Sequence, residues 1–370
     1  MIRSQLEVRY EAPEPPLQLD KLLGFQRRSF ADMSAALGAL AAYLGDRLGL
    51  FRALVETGPV TAAELARRHG LCPEMTTEWL RVMACAGYIE YEPRDDTYAL
   101  PPEHAVVLAN DGGPMCIAGG LEQIGGFAER LPALLDAFRE GCGVPQNSYS
   151  EDLWEGMERL SATWLEGELV EHWLPALPDV NDRLHTGGSA ADVGCGSGRA
   201  LIRLAKSFPA SRFTGYDAFP IAVERATRHA QAAGVADRVH FEVHDVMAGI
   251  PPTFDLVTAF DSLHDMADPV EGLRAAARGL QKDGTLLVLE LGSSDDLADE
   301  AGPIGVIHHA TKLFYNLPIA LAAFGSARGN MTFSDKAMRM LCRKAGLRFV
   351  RALPVRNPLH KLYVIKSPVQ

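Results

Sequence analysis

The segment Asp192-Val-Gly-Cys-Gly-Ser-Gly198 stands where an apolar stretch, residues 189–193, gives way to a helical one beginning at Arg199. Glycine at 194, 196 and 198 permits backbone conformations closed to other residues and lets a ligand approach the main chain. The helix that follows presents unpaired N–H groups and a positive dipole end, which suit a carboxylate. A nicotinamide-type GxGxxG needs a third glycine at 199, where this chain has Arg199. Asp217 ends the next strand candidate, 25 residues after Asp192, placed to accept from both ribose hydroxyls of a nucleoside. Asp245 ends the third, followed by Val246 and Met247. A carboxylate beside an apolar wall accepts from an exocyclic amine while the wall covers the adenine face. Each aspartate alone also reads as a helix cap; together, in order, they point to a nucleoside-bearing ligand.

The surrounding texture fits such a site. SAADV, RFTGYD, VHFEVHD, FDLVTAFD and GTLLVLEL alternate with helical stretches such as RALIRLAKSF and IAVERATRHAQAAG. That alternation predicts an α/β fold with a doubly wound, mostly parallel, Rossmann-like sheet. FVRALPV and HKLYVIK have no long helix between them, so they close the sheet to seven strands as an antiparallel hairpin.

The first hundred residues read differently. A charged, Pro-rich arm covers residues 1 to about 20, and a helical pattern runs from Ala35 to Val55. Thr61 with Glu64 forms a capping box, Gly70 stops that helix, and Pro73 opens another carrying Trp79, Leu80 and Met83. Two short strands flank the turn PRDD. Helix, turn, helix and hairpin make a winged helix, hence a mainly helical N-terminal domain over 1–104. DNA readers are basic at the second helix and the wing. Here Glu74 and Glu78 face Arg81, and Glu90, Glu92, Asp95 and Asp96 face Arg94. A packing, dimer-forming role is expected instead. Residues 105–180 read as a helical linker that supplies one wall of the ligand pocket, and 181–370 as the ligand-binding domain.

A net charge of -11 argues against phosphate backbones and anionic membrane surfaces as partners. The six cysteines are scattered, without a CxxC pair or a completing histidine pattern, so neither a metal site nor disulfides are expected. No signal-peptide core or spanning segment is legible, and the expected location is the cytoplasm.

DVGCGSG, YDAF, HDVM and FDLVTAFDSLHDM, in that order, resemble the cofactor motifs of class I S-adenosylmethionine (SAM)-dependent methyltransferases. With the preceding winged helix, the whole chain is similar to plant-type small-molecule O-methyltransferases and their bacterial relatives. The resemblance implies a homodimer, SAM as cofactor and a small, fairly apolar substrate. It implies that Asp192, Gly194, Gly196 and Gly198 hold the methionine end, Asp217 and Ala218 the ribose, and Asp245 with Val246 the adenine. It also implies that the carbonyl of Phe260 meets the SAM amino group. Leu263-His264-Asp265-Met266 resembles the HDW segment, which makes His264 with Asp265 the expected catalytic pair, His264 as general base. Met266 replaces the tryptophan and Cys195 enters the glycine loop, departures that bear on substrate class. The segment 292–331 suits a lid over an apolar substrate, with His308, His309 and Tyr315 as substrate contacts. Adjacent histidines on a helix point apart, so they would not share a metal. Two other readings stand beside this one: a transcriptional regulator with a SAM- or metabolite-sensing domain, and a SAM-fold enzyme of non-methyl chemistry.

Overall fold

The computed structural model describes residues 17–251, 253–326 and 333–368. The first part of the expected arm and the end of the expected lid, 327–331, lie outside them. The chain divides into two compact units, residues 1–105 and 106–370. The expected linker, 105–180, is almost wholly within the second unit.

The first unit holds α1 (Leu19–Arg47), α2 (Leu50–Thr57), α3 (Ala62–His69), α4 (Pro73–Cys85) and the hairpin β1 (Glu90–Glu92) and β2 (Thr97–Ala99). The single helical pattern read over Ala35–Val55 is in fact two helices, because Gly49 turns the chain at φ 69°. The Thr61 hydroxyl accepts the Glu64 N–H at 3.3 Å, while the Glu64 carboxylate turns to Arg67 and Arg68. The indole of Trp79 donates to the Ala41 carbonyl at 2.8 Å and ties α4 to α1. Only small residues of α1 are buried: Gly38, Ala42 and Gly45. Its large apolar side chains, among them Phe25, Phe30, Met33 and Leu37, are exposed.

The second unit begins within α5 (Pro102–Leu108) and continues with α6 (Ala118–Glu140), α7 (Glu151–Gly167) and α8 (Pro178–Thr186). Seven strands follow: β3 (Ser189–Val193), β4 (Arg212–Asp217), β5 (Val239–Val243), β6 (Phe254–Phe260), β7 (Leu280–Leu291), β8 (Arg348–Leu353) and β9 (His360–Lys366). Their order is β5-β4-β3-β6-β7-β9-β8. The first five run parallel, and β9 is antiparallel to both β7 and β8. Successive residues face opposite sides of the sheet. Leu287, Leu289, Leu362 and Val364 join the layer under α8, α9 (Arg199–Ser207) and α10 (Pro220–Ala232). Leu286, Val288, Tyr363 and Ile365 join the layer under α11 (Pro269–Arg278) and α14 (Asp335–Ala345). Each such buried leucine contributes about 2 kcal/mol of transfer free energy. Between β7 and α14 lie α12 (Pro303–Thr311), a π-helical turn Lys312–Asn316 and α13 (Leu317–Phe324). The chain reverses its direction of winding between β3 and β6, where ligands of such sheets bind.

Candidate active site

The loop between β3 and α9 is held open by its neighbours. The N–H groups of Gly194 and Cys195 both donate to the Tyr216 carbonyl, at 2.8 and 3.0 Å. The N–H of Gly196 donates to Asp217 Oδ2 at 2.9 Å, and Asp217 Oδ1 accepts the Phe219 N–H at 2.8 Å. All three glycines have positive φ. A Cβ on Gly194 would stand 2.3 Å from Ser262 Cβ, and one on Gly198 would stand 2.4 Å from Phe241 Cζ. A Cβ on Gly196 meets no atom within 4 Å. The middle glycine therefore lines open space, with room for a ligand against bare backbone. Arg199, in place of a third glycine, turns its guanidinium to Glu158 of α7 at 2.9 Å. Glu158 also receives Arg225 of α10 at 3.1 Å, so α7 is tied to both helices that flank the loop.

The expected nucleoside residues lie along the same rim. Asp217 ends β4 with Ala218 exposed beside it. Burial raises the Asp217 pKa, opposed by the Phe219 and Gly196 amides. Asp245 is exposed at the end of the β5 segment and caps the turn Val246–Ala248 by accepting the Met247 N–H at 2.9 Å. Val246 is buried in the second apolar layer. Asp192, 3% exposed, accepts the Thr258 hydroxyl at 2.7 Å. Burial pushes its carboxyl up to about 7, against the Thr258 hydrogen bond and with the Asp217 charge adding to the rise.

Phe260 ends β6 with its ring packed edge-on against Trp173, centroids 5.8 Å apart. The chain then turns sharply. Asp261 adopts φ 51°, Ser262 Oγ donates to the Val193 carbonyl at 2.7 Å, and the N–H groups of Leu263 and His264 reach Glu290 Oε1 at 2.7 and 3.2 Å. Glu290 Oε2 lies 2.6 Å from His264 Nδ1. His264 Nε2 lies 3.5 Å from Asp265 Oδ1, and that same oxygen accepts Asn316 Nδ2 at 3.0 Å. Burial works against a charge on His264, but Asp265 and Glu290 outweigh it and raise the imidazole pKa to about 10. Glu290 is also raised, by burial, with His264 opposing. With Nδ1–H donated to Glu290, Nε2 is the nitrogen that titrates, and below about pH 10 it too carries a proton.

Sequence reasoning missed Glu290. Its signal was a lone carboxylate inside the apolar strand GTLLVLEL, since an unpaired buried charge is too costly to keep without a partner. Asn316, also missed, sits in the π-helical turn with its Oδ1 buried and unpaired. The three expected substrate contacts separate. Tyr315 is buried edge-on against Tyr149, accepts from Gln146 Nε2 at 3.4 Å and feels the charge of Asp265. His308 is buried against the Leu359 carbonyl at 3.0 Å, and burial lowers its pKa. It borders a cavity of about 330 Å³ with Ser293, Glu300, Gly305, His360 and Lys361. His309 points elsewhere, to Glu300 Oε2 at 2.6 Å. Among the described residues one acidic trio, Glu122, Asp152 and Glu155, has ligand-type spacing, and Arg159 engages its buried member Glu122.

This strand order, an open glycine cradle and carboxylates at successive strand ends define a class I methyltransferase domain. A family model described as "Methyltransferase domain" matches residues 184–321, and one described as "Rv2258c-like winged HTH domain" matches residues 35–110. The mitomycin biosynthesis 6-O-methyltransferase of Streptomyces lavendulae is 26% identical over 336 residues, 87% of this chain and 89% of that protein. The aclacinomycin 10-hydroxylase RdmB of Streptomyces purpurascens is 28% identical over 269 residues, 69% of this chain and 71% of that one. The structure of human N-acetylserotonin methyltransferase in complex with SAM superposes with a TM-score of 0.68 at 18% identity, covering 96% of this chain and 100% of that one. The chain thus carries a methyltransferase domain behind a winged-helix domain, and it shares its fold with that SAM-bound methyltransferase. No helix among the described residues is long and apolar enough to cross a membrane.

Proposed function

We propose that the protein methylates an oxygen of a small, fairly apolar metabolite, with His264 as general base. The observation that carries this reading is the buried His264–Glu290 pair beside the open Gly196 cradle. When bound, SAM supplies an electrophilic methyl group on a sulfonium. Gly194, Gly196, Gly198 and the Phe260 carbonyl hold its methionine end, Asp217 and Ala218 its ribose, and Asp245 with Val246 its adenine. His264 Nε2 takes the proton of the acceptor hydroxyl once its own proton has left to solvent, a release that the raised pKa moves to the alkaline side in the ligand-free chain, while Glu290 fixes the ring through Nδ1–H and balances its charge. The remaining rate enhancement comes from alignment in a site bordered by α7 and the π-helical turn. His308, His309 and Tyr315 belong to the acceptor side of this reading.

The subunit works as a homodimer through α1, whose long apolar face is exposed in the single chain. The acidic wing and second helix speak against DNA as a partner. Six unbonded cysteines accord with a cytoplasmic setting.

One relative favours a second reading. RdmB is named a hydroxylase, so a SAM-fold enzyme of non-methyl chemistry is the alternative. Calorimetric titration of SAM into wild type and Asp217→Ala tests the site, followed by acceptor screens with His264→Ala as control. Binding weakened about tenfold in Asp217→Ala, with a methylated product lost in His264→Ala, supports methyl transfer. Products that gain oxygen rather than a methyl group support the alternative. Failure to bind either SAM or its demethylated product sinks both.

A further inference from the structure

Asp261, three residues before His264, stands in a second histidine–carboxylate pair. Three described residues other than glycine have left-handed φ: Asp96, Asp261 and Asp283. Asp96 and Asp283 are exposed, whereas Asp261 is partly buried, between the end of β6 and His264. Its N–H donates to the Leu289 carbonyl at 2.9 Å, and its Oδ1 lies 2.8 Å from His360 Nε2. The His360 side chain is 3% exposed and packs on Trp164 with ring centroids 4.6 Å apart.

The hydrogen bonds settle which nitrogen of His360 carries the proton. Asn357 Oδ1 accepts the Leu359 N–H at 2.8 Å, which turns its amide Nδ2 toward His360 Nδ1, also at 2.8 Å. Nδ1 therefore accepts, and the ring proton sits on Nε2, close to Asp261 Oδ1 but not aligned for a hydrogen bond, since that buried oxygen has no hydrogen-bond partner among the described residues. In the sheet His360 pairs with Leu291, next to Glu290. The carboxylates of Asp261, Glu290 and Asp265 thus reach the His264 turn from β6, from β7 and from the turn itself. Asn316 restrains Asp265, and the Lys361 ammonium turns away to Asp335 at 3.2 Å. The Asp261 charge acts on both His264 and Glu290.

We infer that Asp261 and His360 are positioning residues that shape the turn carrying His264 and set how tightly it holds its proton. With the polar edge of His360 2.8 Å from its Oδ1, Asp261 presents only part of its charge to His264; without that edge it presents more of it. The consequence for catalysis rests on the reading of His264 as base, but the proton affinity itself is measurable without turnover.

The experiment is 15N-histidine NMR on the full chain, titrated with pH in wild type, Asp261→Asn, His360→Leu and His360→Gln. Asparagine tolerates left-handed φ, so the first variant removes charge and leaves the turn. The His264 midpoint is expected to fall by about one unit in Asp261→Asn and to rise by about as much in His360→Leu. His360→Gln, which keeps a donor, should return it near the wild-type value. A purely structural pair does not move the midpoint in opposite directions. An unmoved midpoint in folded Asp261→Asn and His360→Leu overturns the inference. If Asp261→Asn fails to fold, the contrast between His360→Leu and His360→Gln decides alone. Should the midpoint move while the pH–rate profile stays still, the pair stands and the general-base reading falls.

Discussion

His264 Nδ1 and Glu290 Oε2 lie 2.6 Å apart at the buried edge of the sheet, and Glu290 also accepts the N–H groups of Leu263 and His264. One carboxylate thus orients both the ring and the backbone that carries it. Replacing it with glutamine keeps an acceptor for the amides but loses the charge. Glu290→Gln should lower kcat by about a hundredfold or more and leave the Kd for the demethylated cofactor within about threefold. Equal loss of binding and rate would instead mark Glu290 as a folding residue.

The same pair makes stability depend on pH. The folded state raises His264 from 6.5 to about 10. The stabilisation this gives is fully present below pH 6.5 and is lost as pH rises through about 10. Thermal unfolding of the ligand-free chain should show Tm falling across that window, with a shallower fall in His264→Gln. Identical profiles for the two proteins would contradict the charged pair.

The glycine loop separates packing from ligand space. Gly194→Ala drives a methyl group into Ser262, whereas Gly196→Ala adds one to open space at a strained φ of 52°. The first should destabilise by about 2 kcal/mol or more. The second should cost about 1 kcal/mol yet abolish SAM binding. Calorimetric unfolding and SAM titration on both variants check the contrast; equal behaviour refutes it.

Asp192 is raised to about 7 beneath the same loop. A cation is held better by its charged form, so SAM affinity should increase as pH rises through 7 and level off above. The demethylated product has no sulfonium charge and should show a flatter profile. Proton release on binding, read by calorimetry in buffers of different ionisation enthalpy, should accompany SAM alone; equal release for both ligands counts against it.

Much of this architecture is written in local patterns. Residues 189–193, 212–217 and 360–366 fall on observed strands because alternating apolar residues suit a buried pleat, and the glycines mark the turn out of β3. The α1–α2 break was harder to read, since Gly49 lies inside an unbroken helical pattern. The partners of Glu290 and His360 were hidden for another reason. Glu290 is a lone carboxylate in the apolar run 286–291 and His360 opens β9, and each takes its role from a neighbour set by strand order. Local periodicity carries no information that β9 inserts between β7 and β8.

That insertion also orders events during synthesis. The strands that present Asp192, Asp217, Asp245 and Phe260 are complete once β6 has been made, whereas His360 arrives with β9, the last strand of the sheet. On the roles proposed for these residues, the elements assigned to the nucleoside are thus synthesised before those assigned to tuning the base.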